Sequence, residues 1–159
     1  IKAFHSIIND LPKETKLIII GSGEETKTLN NYIKKNSLKE RVLIKGHISS
    51  YNELKRYYDT SLFSVSPGYV GLSITQSFGF GVPMLVSKTE NHSPEIEAFK
   101  NNDNGVFFES DNVLNLSNKI LEMFESKEKW VTQRQSIVDF CKINYSIESM
   151  AETFIKLID

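Results

Sequence analysis

Five short apolar runs constrain this chain more than any other feature. They are Leu17 to Ile20 (LIII), Arg41 to Lys45 (RVLIK), Leu62 to Val65 (LFSV), Pro83 to Val86 (PMLV) and Gly105 to Phe108 (GVFF). Continuous runs of this length are strands covered on both faces, the habit of parallel sheets. Helical patterns lie between them. Ala3, Phe4, Ile7 and Ile8 fall at helical spacing before the stop at Leu11-Pro12. Glu24 to Lys35 carries Leu29 and Ile33 on one stripe, Tyr51 to Asp59 is short, and Leu72 to Phe80 ends at Gly81. Ser93-Pro94-Glu95 reads as an N-cap, a first-turn proline and a dipole-favoured acid. Three helices close the chain. Val113, Leu116, Ile120 and Phe124 form one stripe behind an Asp111 cap, Trp130 to Lys142 is the second, and Ile147, Met150, Ala151, Phe154, Ile155 and Ile158 mark the third.

Strands alternating with helices make βαβ units. The expected class is α/β, a Rossmann-like parallel sheet flanked by helices. The length of 159 residues suits one domain, assigned to 1–159, and no repeat or linker divides it. The chain opens at Ile1, without Met and already in a helical pattern, so a piece of a two-domain protein is expected.

Composition excludes several classes. A hydrophobic share of 40% with 25% charged residues is that of a globular domain. A net charge of −1 offers no footprint for nucleic acid or an anionic membrane. The single cysteine, Cys141, rules out a disulfide framework or a cysteine zinc site, and fits a reducing compartment. The three histidines lack metal-ligand spacing, and no metal is expected. No run approaches the roughly 20 apolar residues of a membrane span.

Ligands of such sheets bind beyond the C-terminal strand ends. Glycine-bearing loops lie there. Gly21-Ser22-Gly23 lacks the third small residue of a dinucleotide fingerprint, because Thr26 holds that position, and Glu24 and Glu25 would face a pyrophosphate. Ser66-Pro67-Gly68-Tyr69-Val70-Gly71-Leu72 follows a strand and feeds a helix. Its glycines permit close approach, and the N–H groups of Val70, Gly71 and Leu72 are candidate donors to an anion. No acid lies between Ser61 and Val86 to repel one. A plain chain reversal explains the same glycines, so this reading leaves both open.

The stretch Gly68 to Leu85, GYVGLSITQSFGFGVPML, resembles the C-terminal half of GT-B-fold retaining glycosyltransferases of family 4 (group 1). Gly71-Leu72 and Gly81-Val82-Pro83 match in place and spacing. KLIIIGSGEE from Lys16, RVLIKGHIS from Arg41, ELKRYYDTSLFSVSP from Glu53, SPEIE from Ser93 and NGVFF from Asn104 follow in the family's order. The resemblance runs from about Ala3 to the last helix.

The resemblance implies a site. Val70, Gly71 and Leu72 would hold the donor diphosphate, Gln76 the ribose, and the loop Gly46, His47 and Ile48 the base. Gly68, Tyr69, His92 and Glu95 are the donor-sugar candidates. The family carries acids where this chain has Gly68 and Gln76. Gln76 still accepts a hydroxyl proton through its amide oxygen, whereas Gly68 offers only backbone. The family's basic pair and its N-terminal acceptor domain precede the helix with which this chain begins.

The expected function is donor binding in a retaining glycosyltransferase that moves a sugar from a UDP- or GDP-sugar to an acceptor hydroxyl, with the isolated piece inactive and no cofactor. The expected setting is bacterial surface polysaccharide synthesis in the cytoplasm, with peripheral membrane association of the whole enzyme. The rivals are a nucleotide-sugar epimerase of the same fold, a non-catalytic pseudo-glycosyltransferase scaffold, and a receiver-like signalling module. The last would want an acidic cluster at the strand ends, which is not seen.

Overall fold

The computed structural model describes residues 1–158, with side chains through Lys156. The order is α1 (Lys2–Ser6), β1 (Leu17–Ile19), α2 (Thr26–Lys35), β2 (Val42–Ile44), α3 (Tyr51–Thr60), β3 (Ser64–Ser66), α4 (Ser73–Gly79) and β4 (Met84–Ser87). A 3-10 helix (Pro94–Ala98), β5 (Gly105–Phe108), α5 (Val113–Glu125), α6 (Lys127–Tyr145) and α7 (Ile147–Ile158) follow.

The expected α/β class holds, with parallel strands flanked by helices. The ladders are two: β1 pairs with β2, and β3-β4-β5 form a second. One core joins them. Phe4, Leu85, Phe108, Met123 and Trp130 are buried together, with Leu17, Ile19 and Phe63 packed against them. A second cluster, with Val70, Ile74, Phe78, Val86, Phe99 and Ile137, lies under the α4 side. β4 sits between two neighbours and is buried at all its positions. β1 has one partner and is only half-buried, so the expectation of two covered faces fails there.

Several expected boundaries shift for local reasons. α2 begins at Thr26, not Glu24, because Thr26 Oγ1 turns back to accept the Gly23 N–H at 3.0 Å. β3 begins two residues later than expected. α5 is capped by Asn112, not Asp111: the Asn112 side chain accepts the Asn115 N–H at 2.9 Å, and Asp111 turns the chain at φ 57°. Of the expected stripe, Ile120 is buried, Leu116 and Phe124 are half-buried and Val113 is exposed, while Ser117 and Met123, outside that stripe, are also buried. Pro94 opens a 3-10 helix, and the Ser93 hydroxyl binds the Glu95 carboxylate rather than a backbone N–H. α6 extends beyond Trp130–Lys142 at both ends, and Trp130 and Cys141 are core residues.

On α7 the apolar side chains of Ile147, Met150, Phe154 and Ile155 are exposed. The side chain of Ile158 lies outside the described residues. Among the described residues, no helix is long and apolar enough to cross a membrane.

Candidate functional site

The loop after β3 is built from its backbone outward. Ser66 ends the strand, and its hydroxyl reaches the carbonyl oxygens of Gly68 at 3.3 Å and Tyr69 at 3.1 Å. The Val70 side chain is fully buried and pins the middle of the loop to the core. Both backbone polar groups of Val70 are engaged. Its N–H donates to His92 Nδ1 at 3.1 Å, and its carbonyl accepts the Ser93 N–H at 3.0 Å. His92 Nε2 lies 2.7 Å from the Ser87 carbonyl oxygen. A carbonyl only accepts, so the proton sits on Nε2 and Nδ1 is the acceptor.

The next amides are free. Among the described residues, the N–H groups of Gly71 and Leu72 donate to no protein acceptor. A buried amide is nearly always paired, and neither of these residues is buried: Gly71 is half-buried and Leu72 exposed. Leu72 is 72% exposed. Of the three amides expected to face an anion, two are available and Val70 is occupied. Tyr69 is exposed, and a Cβ added at Gly71 would come 3.3 Å from its Cε1, so the ring lies over Gly71. The helix that follows, α4, has 7 residues, so its dipole adds little.

Gln76 is exposed on α4, and its Oε1 accepts from the Tyr58 hydroxyl at 3.4 Å. Tyr58 stacks on Phe80 with ring centroids 4.7 Å apart, and Tyr51 stacks on the same ring at 5.1 Å. Burial raises the Tyr58 phenol above its ordinary value. Gly46, at φ 70°, accepts the Gly21 N–H at 2.7 Å, which ties the loop after β2 to the end of β1. His47 is exposed and Ile48 half-buried. Among the described residues, no hydrogen bond joins this loop to Gly68–Leu72.

Glu95 stands beside Ser93, whose hydroxyl donates to its carboxylate. That bond, and one from its own backbone, hold the carboxyl below its ordinary value. The structure therefore gathers Gly68 to Leu72 with His92, Ser93 and Glu95 at the ends of β3 and β4. Gln76 stands on the following helix.

Sequence reasoning missed a hydroxyl cluster at the ends of β4 and β5. Ser87 Oγ lies 2.6 Å from Ser110 Oγ and donates to Glu90 at 3.1 Å, and Thr89 Oγ1 donates to Ser110 at 2.7 Å. The available signal was a serine closing or following each strand of the second ladder: Ser66, Ser87 and Ser110. Among the described residues, no group of His, Cys, Asp and Glu could hold a metal ion.

The comparisons agree on the fold. TarM of S. aureus, solved with UDP, superposes with a TM-score of 0.79 at 20% identity, over 99% of this chain and 31% of that one. Sucrose-phosphate synthase of Thermosynechococcus elongatus gives 0.79 at 17%, over 99% and 41%. HepE of Anabaena, solved with UDP-glucose, gives 0.77 at 16%, over 98% and 44%. The chain thus spans less than half the length of these proteins. No curated protein matches it in sequence. The family model described as glycosyl transferases group 1 matches residues 1–137, and the chain belongs to that family.

Proposed function

We propose that this chain is the donor-binding domain, the C-terminal half, of a retaining glycosyltransferase. The whole enzyme moves a sugar from a nucleoside diphosphate to an acceptor hydroxyl, with the acceptor held by an N-terminal domain. The carrying observation is the pair of unpartnered N–H groups at Gly71 and Leu72, set at the strand ends in a stretch without an acid. Preorganised amides stabilise the charge that grows on a departing diphosphate without reorganising. The basic pair of the preceding segment supplies the rest.

In this reading Gln76 holds ribose and the loop Gly46, His47 and Ile48 faces the base. Gly68, Tyr69 and Glu95 border the sugar. Glu95 stays ionised at neutral pH, which suits it to accept from sugar hydroxyls. UDP-sugars are the first donors to test, because TarM and HepE were solved with UDP or UDP-glucose. Synthesis of a bacterial surface polysaccharide, by a cytoplasmic enzyme that meets the membrane peripherally, is the proposed setting.

The test is calorimetric titration of the full-length protein with UDP, GDP, ADP and NAD, repeated on Gly71→Asp. One diphosphate should bind, and the aspartate should abolish binding while the fold remains. Failure of all four would sink the enzyme reading. It would favour a scaffold that has lost the family's acids at Gly68 and Gln76.

A further inference from the structure

We infer that His92 is a positioning residue, which aims the Gly71 N–H at the donor diphosphate without touching the donor. This rests on the donor-site reading above. Two peptide planes flank Val70. Each peptide is planar and trans, so its C=O and N–H point in opposite directions. In the first plane, the Tyr69 carbonyl receives the Ser66 hydroxyl and the Val70 N–H donates to His92 Nδ1. In the second, the Val70 carbonyl receives the Ser93 N–H. That bond turns the carbonyl toward residues 92–93, so the Gly71 N–H at the other end of the plane points away from them, toward the open side. His92 locks the first plane, the buried Val70 carries that position to the second, and the N–H of Ser93, the residue next to His92, orients the second. Among the described residues, the one polar group of these two planes left without a partner is the Gly71 N–H.

Histidine suits this place because one rigid ring both accepts and donates. Nδ1 takes the Val70 N–H while Nε2–H holds the Ser87 carbonyl at the end of β4. The ring therefore references the loop to the most buried strand of the sheet. Neither nitrogen is left for a sugar or a phosphate, so His92 is not a donor-sugar contact in this arrangement.

Asparagine and glutamine separate the two bonds. The amide of His92→Asn sits where Nδ1 was and still accepts from Val70. The amide of His92→Gln reaches the Nε2 position and leaves the Val70 N–H unpaired.

The experiment uses the full-length protein with UDP as the probe. UDP affinity should fall about tenfold in His92→Gln and stay within about threefold of the parent in His92→Asn. Nitrogen NMR of histidine-labelled protein should show a neutral ring protonated on Nε2. If the parent binds UDP and His92→Gln binds it equally well, the positioning role is wrong and the donor site stands. Equal losses in both variants, with the folds intact, would also overturn it, as would a ring protonated on Nδ1. If the parent binds no nucleotide, the donor reading fails and this inference falls with it.

Discussion

The Gly81 Cα faces the backbone carbonyl of Arg134: a Cβ at Gly81 would come 2.6 Å from that oxygen. Gly81 also adopts φ 70°, which side chains rarely accept. It ends α4 and lets α6 lie against the turn into β4. Gly81→Ala combines left-handed strain with a backbone clash that no rotamer relieves. We expect a loss of about 2–4 kcal/mol, read by urea unfolding. A loss within the error of the parent would show that α6 shifts freely at this contact.

Arg134 binds the same region from the side. Its guanidinium donates to the carbonyls of Ser61 at 2.8 Å, Tyr58 at 3.0 Å and Phe80 at 3.1 Å. These carbonyls lie where α3 and α4 end, and that of Tyr58 also accepts the Ser61 N–H at 3.2 Å. Arg134→Ala leaves them without that partner and should cost about 2–3 kcal/mol. Arg134→Lys should recover only part of this, because an ammonium lacks the planar fork that spans several carbonyls. Denaturant midpoints for the three proteins would check the order, and a lysine variant as stable as the parent would refute it.

Much of the fold was legible because burial writes itself into sequence. Gly105 to Phe108 matches β5 to the residue, and the run at Pro83 to Val86 marks the strand with neighbours on both sides. Caps were harder. Asp111 and Asn112 are both good cap types, and only the turn at Asp111 decides that Asn112 does the work. In the site, the glycine loop and His92 were both visible as candidates. Their contact was not, because a hydrogen bond between residues 22 apart leaves no local pattern. The same holds for Tyr58 and Gln76, joined across α3 and α4.

Alkaline stability should depend on Tyr58. Burial raises its phenol above the ordinary value near about pH 10. A group whose folded value is raised contributes stability that is full below the unfolded value and lost as pH rises through the folded one. Tyr145 is raised too, by burial and then by the charges of Glu97 and Cys141. Stability should therefore fall above about pH 10. Tyr58→Phe keeps the ring on Phe80 and removes the proton, so its fall should be shallower. Parallel urea titrations across that range would show it, and identical slopes would mean that Tyr58 stays reachable by water in its ionised form.

The exposed apolar residues of α7 should matter little to the stability of this domain. Phe154 is 68% exposed and Ile155 59%. Surface substitutions away from packed contacts change stability by about 0.5 kcal/mol or less. Phe154→Ser with Ile155→Ser should leave the melting temperature of the chain nearly unchanged and lower its binding of a hydrophobic dye. A clear drop in melting temperature would mean that these side chains pack against the domain in solution.

Gln76 gives the sharpest check on the ribose assignment. Its side chain's one protein partner among the described residues is the Tyr58 hydroxyl at 3.4 Å, a long bond that costs little to lose. Gln76→Ala should therefore leave stability close to that of the parent. If its amide also receives a ribose hydroxyl, removal should weaken UDP binding by about three- to tenfold, the worth of one neutral hydrogen bond. The deoxy sugar separates this from general damage. The parent should prefer UDP over 2′-deoxy-UDP or 3′-deoxy-UDP, and Gln76→Ala should lose that preference against whichever hydroxyl the amide holds. Gln76→Glu introduces a carboxylate and should keep the preference, since a carboxylate accepts from hydroxyls at least as well. Calorimetry on the three proteins with three nucleotides measures the coupling directly. An undiminished preference in the alanine variant would move the ribose away from α4.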